Sequence, residues 1–309
     1  MAYLVTGGMG CLGAWALFHL VKSDKKAVCF DLSESRHRLN MLLTPDEQAS
    51  ITFVKGDITS LEAVRQVCEE NAITHIIHLA ALQVPFCRNN PSVGAQVNVT
   101  GTINVFEAAR EIGVNHVAYA SSIAVYGAPD LYPAGLIRGE VQRLPTTLYG
   151  VYKVANEDSA KIYFRDWGVT STGLRPYTVY GVGRDQGMTS EPTKAMQEAA
   201  LGKDAHISFA GKMQFHFASD VAQQFILASE HRLNGAYTFN MGTAPISVMD
   251  VAQMIADLTH QRITVGETIL PFPEGFDTTL HDYFPQVYQT LLDEGIRQTI
   301  THFRELASL

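Results

Sequence analysis

The feature that most constrains this chain stands at its start. Thr6-Gly7-Gly8-Met9-Gly10-Cys11-Leu12-Gly13 carries three glycines in the spacing G-x-x-G-x-x-G. It follows the β-rich run Tyr3-Leu4-Val5 and opens a helical stretch from Gly13 to Lys22. Strand, glycine turn and helix in that order let backbone N–H groups close on a pyrophosphate, with the helix N-terminus adding favourable charge. A glycine-rich turn without a ligand is the competing reading. The placement between a strand and a helix is what favours the phosphate loop.

The first 180 residues go on alternating in the same way. Strands are predicted at Ala27–Phe30, Ile51–Val54, Ile73–Leu79, His116–Ala120 and Thr172–Arg175. Helices are predicted from Ser60, as cap, to Asn71, from Val93 to Glu111 and from Leu148 to Trp167. The run Ile73–Leu79 is almost wholly apolar, as suits a parallel strand covered on both faces. The expected fold is therefore α/β, a Rossmann-like doubly wound parallel sheet with right-handed crossovers. The later chain is less regular, with helices expected at Glu191–Leu201, Ser219–Ser229, from Ser247, and at Gln289–Ala307. Strands are expected there at His206–Phe209 and Tyr237–Asn240. The expected division is a dinucleotide-binding domain at 1–175 with returning segments at about 214–242. A smaller substrate-binding lobe would take 176–213 and 243–309.

Asp31 ends the second predicted strand, 18 residues after Gly13. A carboxylate there can accept from both ribose hydroxyls of an adenosine and repels a 2′-phosphate, which favours NAD over NADP. Asp57, after the third strand, is placed to meet an adenine edge or, equally, to cap a helix.

Tyr149-Gly150-Val151-Tyr152-Lys153 sets a tyrosine and a lysine on one helix face. A phenol of ordinary pKa, near ~10, is a poor base at neutral pH. A neighbouring ammonium and a positive nicotinamide ring would lower that pKa, so that the pair can take a proton from a carbinol. The spacing alone also fits an ordinary surface pair. Ser121-Ser122, at the end of the fifth strand, faces the same expected crevice and raises the catalytic reading.

These motifs do not stand alone. The chain also has Gly56-Asp57, His78-Leu79-Ala80-Ala81, Asn98-Val99-x-Gly101-Thr102, Ser121-Ser122-x-x-Val125-Tyr126-Gly127 and Leu174-Arg175-Pro176-x-x-Val179-Tyr180-Gly181. Together, over essentially the whole chain, they resemble the extended short-chain dehydrogenase/reductase superfamily, its NAD-dependent epimerase/dehydratase family. The resemblance implies that Ser122 hydrogen-bonds the substrate oxygen and that Tyr149 is the acid/base. It implies that Lys153 holds the nicotinamide ribose and tunes the tyrosine. NAD would lie against Gly7, Gly10, Cys11 and Leu12, with Asp31, Asp57 and Ile58 at the adenosine end. Leu79, Ala80, Ala81 and Pro176 would run beside it, and Asn98 would prop up the site. Substrate contacts would come from Gln83, Ser122, Arg184 and Lys194. A homodimer pairing the helices of Asn98 and Tyr149 is also implied.

Departures from the family pattern narrow the reaction. Dehydratases of the family carry an Asp-Glu pair after the catalytic Ser/Thr, where this chain has Ile123 and Ala124. Dehydration is therefore not expected. Nucleotide-sugar epimerases have a diphosphate-binding Arg where this chain has Met213, which cannot make bidentate phosphate contacts. That points to a smaller substrate, a sugar or sugar acid. The loop Gly183–Lys194 holds Arg184 and Lys194, which suit a carboxylate or phosphate, or simply a solvated surface. Cys87, in Pro85-Phe86-Cys87-Arg88, is read as a passive thiol rather than a second acid/base.

The expected activity is thus NAD-dependent oxidation or reduction of a secondary alcohol of a sugar or sugar acid. The alternative is epimerisation through a transient ketone, and a cofactor-sensing binding protein is the reading from another class. Twenty-three basic against 31 acidic residues give a net charge of −8, which disfavours nucleic acid and anionic lipid as partners. No run approaches a membrane span. The N-terminus lacks the basic segment of a secretory signal. The cysteines Cys11, Cys29, Cys68 and Cys87 are scattered, as in a reduced cytoplasmic protein. His75 and His78 lack a third ligand nearby, and no metal site is expected.

Overall fold

The computed structural model describes residues 1–284, 286–287 and 289–308; Pro285, Tyr288 and Leu309 of the expected lobe lie outside the described residues. The strands are β1 Ala2–Thr6, β2 Lys26–Asp31, β3 Thr52–Lys55, β4 His75–His78, β5 His116–Ala120, β6 Thr170–Arg175 and β7 Thr178–Tyr180. They continue with β8 Ala205–Ala210, β9 Lys212–Met213, β10 Phe215–Phe217, β11 Ala236–Asn240, β12 Ile246–Ser247 and β13 Ile263–Ile269. Seven of them form one parallel sheet in the order β11-β6-β5-β4-β1-β2-β3. The chain reverses its direction of winding at β1, which lies between β2 and β4. A crevice therefore opens at the carboxyl ends of β1 and β4.

Both faces of the sheet are covered, so its central strands β1 and β4 are buried along their whole length. On one face Leu17, Leu20 and Phe225 pack with Tyr3 and Val5. On the other, Val64, Val67, Phe106 and Tyr163 pack with Leu4, Ile76 and Val117. A third core lies away from the sheet, where Met196, Ile207, Phe215, Val251, Ile255 and Ile300 cluster. It sits among the pairs β7–β10 and β8–β13, both parallel, and the antiparallel pair β9–β12.

Most predicted elements appear at or near the expected residues, and the Leu148–Trp167 helix at the expected ones. Ser60 and Ser247 cap their helices, taking the N–H of Ala63 and Asp250. The expected single helix Val93–Glu111 is instead Pro91–Ala95, a π-helical turn Gln96–Thr100 and Gly101–Glu111. Strand β7 follows β6 after only two residues, too closely for a separate strand to be legible in the pattern. Strand β13 alternates too weakly to stand out.

Candidate active site

The crevice begins with a backbone approach that only glycine permits. Gly7 sits at φ +69, and a Cβ there would lie 2.7 Å from the Ala80 nitrogen. A Cβ on Gly13 would lie 2.2 Å from the Gly7 oxygen. The glycines thus let β1, the loop and the following helix pack at backbone distance. That helix, Cys11–Lys22, has no side-chain cap. Its first-turn N–H groups at Cys11 and Leu12 have no intrahelical acceptor and are left for an anion. The Thr6 hydroxyl accepts from the N–H of Leu79 at 3.2 Å and of Ala80 at 3.3 Å, tying β1 to the end of β4.

Asp31 ends β2, and its carboxylate takes the Met9 N–H at 2.9 Å and the Ser33 N–H at 2.8 Å. It faces a concavity lined also by Met9, Arg36, Phe53 and Lys55. The Arg36 guanidinium lies 3.7 Å from the Phe53 ring centre. Asp57 stands outside that concavity, exposed, its carboxylate engaged by the Thr59 N–H and hydroxyl. Ile58 is buried against Gly101. The glycine loop is clasped from above. Arg38 donates to the Met9 carbonyl at 2.8 Å and the Gly183 carbonyl at 3.1 Å, and pairs with Asp185. The Trp15 indole N–H donates to the Val182 carbonyl at 2.9 Å.

One cleft, of about 1150 Å³ including its mouth, brings together Gly7, Gly10, Cys11, Leu12, Leu79, Ala81, Gln83, Ser122, Tyr149, Lys153, Pro176 and Arg184. Tyr149 stands in the first turn of its helix, capped by the Thr147 hydroxyl, which accepts from Gly150. Lys153, one turn on, is 3% exposed, and its ammonium donates to the Ala120 carbonyl at 2.6 Å. The Lys153 Nζ lies 5.5 Å from the Tyr149 ring centre. Burial pushes the Tyr149 phenol up to about 12, opposed by the Ser122 hydroxyl and the Arg184 charge. Burial pulls Lys153 down to about 8, so it stays charged at neutral pH. The arrangement therefore holds a proton acceptor that needs cationic help, with the cation in place. Ile123 and Ala124 line the cleft where a dehydratase acid and base would stand.

The wall below is a polar network absent from the sequence-level site. Glu157 lies one turn beyond Lys153, fully buried, and accepts two bonds of 2.7 Å from Arg175. Arg143 adds a third at 3.0 Å, and the Ser121 hydroxyl donates as well. Arg175 also reaches the Tyr126 hydroxyl at 2.6 Å. The signal was present: Glu157 shares the helix face of Tyr149 and Lys153, and Arg175 stands in Leu-Arg-Pro. Asn98 sits in the π-helical turn, completely buried. Its amide accepts from the Leu82 N–H at 2.7 Å and donates to the Leu82 carbonyl at 2.8 Å, fixing the loop after β4 that leads to Gln83.

Other expected residues do not meet in the cleft. Lys194 is exposed, because the neighbouring Pro192, Thr193 and Ala195 take the buried side of its helix. Met213 is buried, its sulfur 3.1 Å from the Thr178 hydroxyl. Cys87 is buried between the Leu82 carbonyl and the Asn98 amide, and burial raises its thiol. His75 and His78 point to opposite faces of β4, as residues three apart on a strand must. His78 bonds Thr6 and Thr102 through its two ring nitrogens, and His75 stacks on Tyr3. Among the described residues no group of three or more His, Cys, Asp or Glu could hold a metal.

A glycine loop at a topological switch point, an acidic residue closing β2, and a Tyr–Lys pair in the adjoining cleft define a dinucleotide-dependent enzyme. Comparison with known proteins agrees. The family model described as "NAD dependent epimerase/dehydratase family" matches residues 3–242. A UDP-glucose 4-epimerase of Mycolicibacterium smegmatis is 30% identical over 79% of this chain and 77% of its own. The solved structure of MoeE5 in complex with UDP-glucose and NAD is 27% identical, covering 99% of this chain and 100% of that one, with a TM-score of 0.81. An L-threonine dehydrogenase of Clostridium difficile, 20% identical, covers 99% and 98% with a TM-score of 0.85, a likeness of fold. This chain belongs to the NAD-dependent epimerase/dehydratase family, and its cofactor is NAD.

The buried pair beneath the cleft gives a direct test. Arg175→Met takes two of the bonds to Glu157 and leaves it with Arg143 and the Ser121 hydroxyl. We expect the unfolding free energy to fall by about 3–5 kcal/mol, measured by urea denaturation.

Proposed function

We propose that this enzyme transfers hydride between NAD and a secondary alcohol of a sugar or sugar acid. The observation that carries the reading is the meeting of Ser122, Tyr149 and Lys153 in the cleft that also holds the glycine loop. NAD, when bound, supplies the hydride acceptor and a positive ring. The first-turn N–H groups at Cys11 and Leu12 hold its pyrophosphate, and Asp31 accepts from its adenosine ribose. Leu79, Ala81 and Pro176 flank it. Ser122 donates to the substrate oxygen and orients it. Tyr149 takes the carbinol proton as hydride leaves, and Lys153 stabilises the phenolate that makes this possible. The late segments carrying Arg184 and the third core form the substrate side.

Net dehydrogenation is the leading reading. Epimerisation is kept because the Mycolicibacterium relative is named a UDP-glucose 4-epimerase. NADH accumulation during turnover of a sugar and sugar-acid panel decides between them; isomerised product without NADH selects the epimerase.

The chemistry predicts a signed pH dependence. Tyr149→Phe should keep NAD binding and lower turnover by roughly 10²–10⁴-fold. In the intact enzyme, alcohol oxidation should rise with pH as the phenol loses its proton. Lys153→Met removes the charge that favours phenolate, so the inflection should move to higher pH and turnover at pH 7 should fall. Unchanged pH–rate profiles would remove Lys153 from this role. At the other end of the cofactor, Asp31→Ala should weaken NAD more than NADP, read by fluorescence titration.

The homodimer belongs to the same proposal. Leu148, Val151 and Ile162 are exposed on one face of the Tyr149 helix, at 42%, 46% and 40%. Apolar exposure in a helix face at that spacing suits a second copy. Val151→Glu should shift the protein to monomers in sedimentation velocity. The cytoplasm is its proposed compartment, in keeping with four cysteines that are all unpaired.

A further inference from the structure

We infer that the substrate is a free hydroxy acid of the sugar type, an aldonate or uronate, whose carboxylate is held by Arg184 with Gln83 beside it. This names the substrate class of the same cleft and rests on the hydride-transfer reading of Tyr149.

Arg184 is an unneutralised cation in a cleft otherwise short of charge. Among the described residues it makes no ion pair. The acid next to it in sequence, Asp185, is taken by Arg38 at 2.6 Å and His37 at 3.0 Å. Its Nη2 has one weak contact, 3.4 Å from the Thr189 hydroxyl, and its Nε is buried without a partner. The Gln83 Oε1 is likewise buried and unpartnered. The two side chains converge beside Gly187. A Cβ at Gly187 would lie 2.3 Å from Gln83 Oε1 and 3.0 Å from Arg184 Nη2, and the residue sits at φ +100. Glycine here leaves room for the amide oxygen and the guanidinium to converge at the edge of the cleft.

Buried polar atoms without partners are costly, and a guanidinium most of all. A carboxylate satisfies Arg184 in bidentate fashion, and a hydroxyl on the adjoining carbon can donate to Gln83 Oε1. One anion is the capacity of this end. Of the two cationic side chains that line the cleft, Lys153 is committed to the Ala120 carbonyl. The rest of the lining includes the apolar bodies of Tyr177, Met188 and Phe272. A nucleoside diphosphate would bring more charge than one guanidinium balances, and Met213 is buried in the third core.

The test compares glucuronate, galacturonate, gluconate and galactonate with glucose, galactose, UDP-glucose and UDP-glucuronate, each with NAD. Turnover and thermal shift are both read, so binding is scored even where chemistry is slow. We expect a free acid to be preferred over its neutral counterpart by roughly 100-fold in kcat/KM, the scale of a charged hydrogen-bonded contact. Arg184→Gln should erase that preference in kcat/KM, with the inflection of the pH–rate profile moved to higher pH, while leaving the NAD dissociation constant unmoved, and Arg184→Lys should restore part of it. Better use of a UDP-sugar than of every free acid, a free acid that gives no shift, or loss of NAD affinity in Arg184→Gln would each overturn the inference. Tyr149→Phe separates the two readings. If it stays active, the hydride assignment fails irrespective of Arg184; if it is inactive while Arg184→Gln keeps its acid preference, only the carboxylate site fails.

Discussion

The whole site depends on two strand ends approaching at backbone distance. At Gly7 no side chain fits between β1 and Ala80, and at Gly13 none fits against Gly7. Any larger residue would push the loop outward and fill the space where N–H groups at the helix start would meet an anion. Position in the sheet then does the rest. Because β2 and β4 leave β1 on opposite sides, the loops after them diverge, and the cleft between them receives groups from Ser122, Tyr149 and Arg184.

Charge in the interior is organised in layers. The ammonium of Lys153 lies under the Tyr149 ring, and one turn below it Glu157 is locked between Arg175, Arg143 and Ser121. A buried carboxylate with this many donors is held in one place, and its fixed position orders the helix that presents the tyrosine and lysine. Reactivity above and rigidity below therefore come from one helix face. Asn98 does for the loop after β4 what Glu157 does for this helix, replacing a regular turn by a side-chain bridge to Leu82. Its π-helical turn is the local departure that aims the amide correctly.

Much of this was readable beforehand, for physical reasons. Short β-rich runs alternating with helical patterns leave a readable rhythm, and glycine turns leave spacing, so β1 to β6 and the phosphate loop were legible. Tyr149 and Lys153 were legible because four residues make one helical turn. What the sequence concealed were contacts between distant segments. Glu157 shares the helix face of Tyr149 and Lys153, but nothing local pairs it with Arg175. Asp57 follows its strand as an adenine contact or a helix cap would, and one carboxylate oxygen takes the Thr59 N–H and hydroxyl. Lys194 shares a loop-and-helix segment with Arg184, but helical rotation carries it to the outside.

The clasp made by Arg38 joins regions that serve different ligands. It grips Met9 in the glycine loop and Gly183 and Asp185 next to Arg184. The two ends are thus joined through three short polar contacts. Thermodynamic linkage makes such transmission mutual: if filling the first compartment tightens the second, the reverse holds to the same degree. Any coupling between the two compartments would pass through this one side chain and would act equally in both directions.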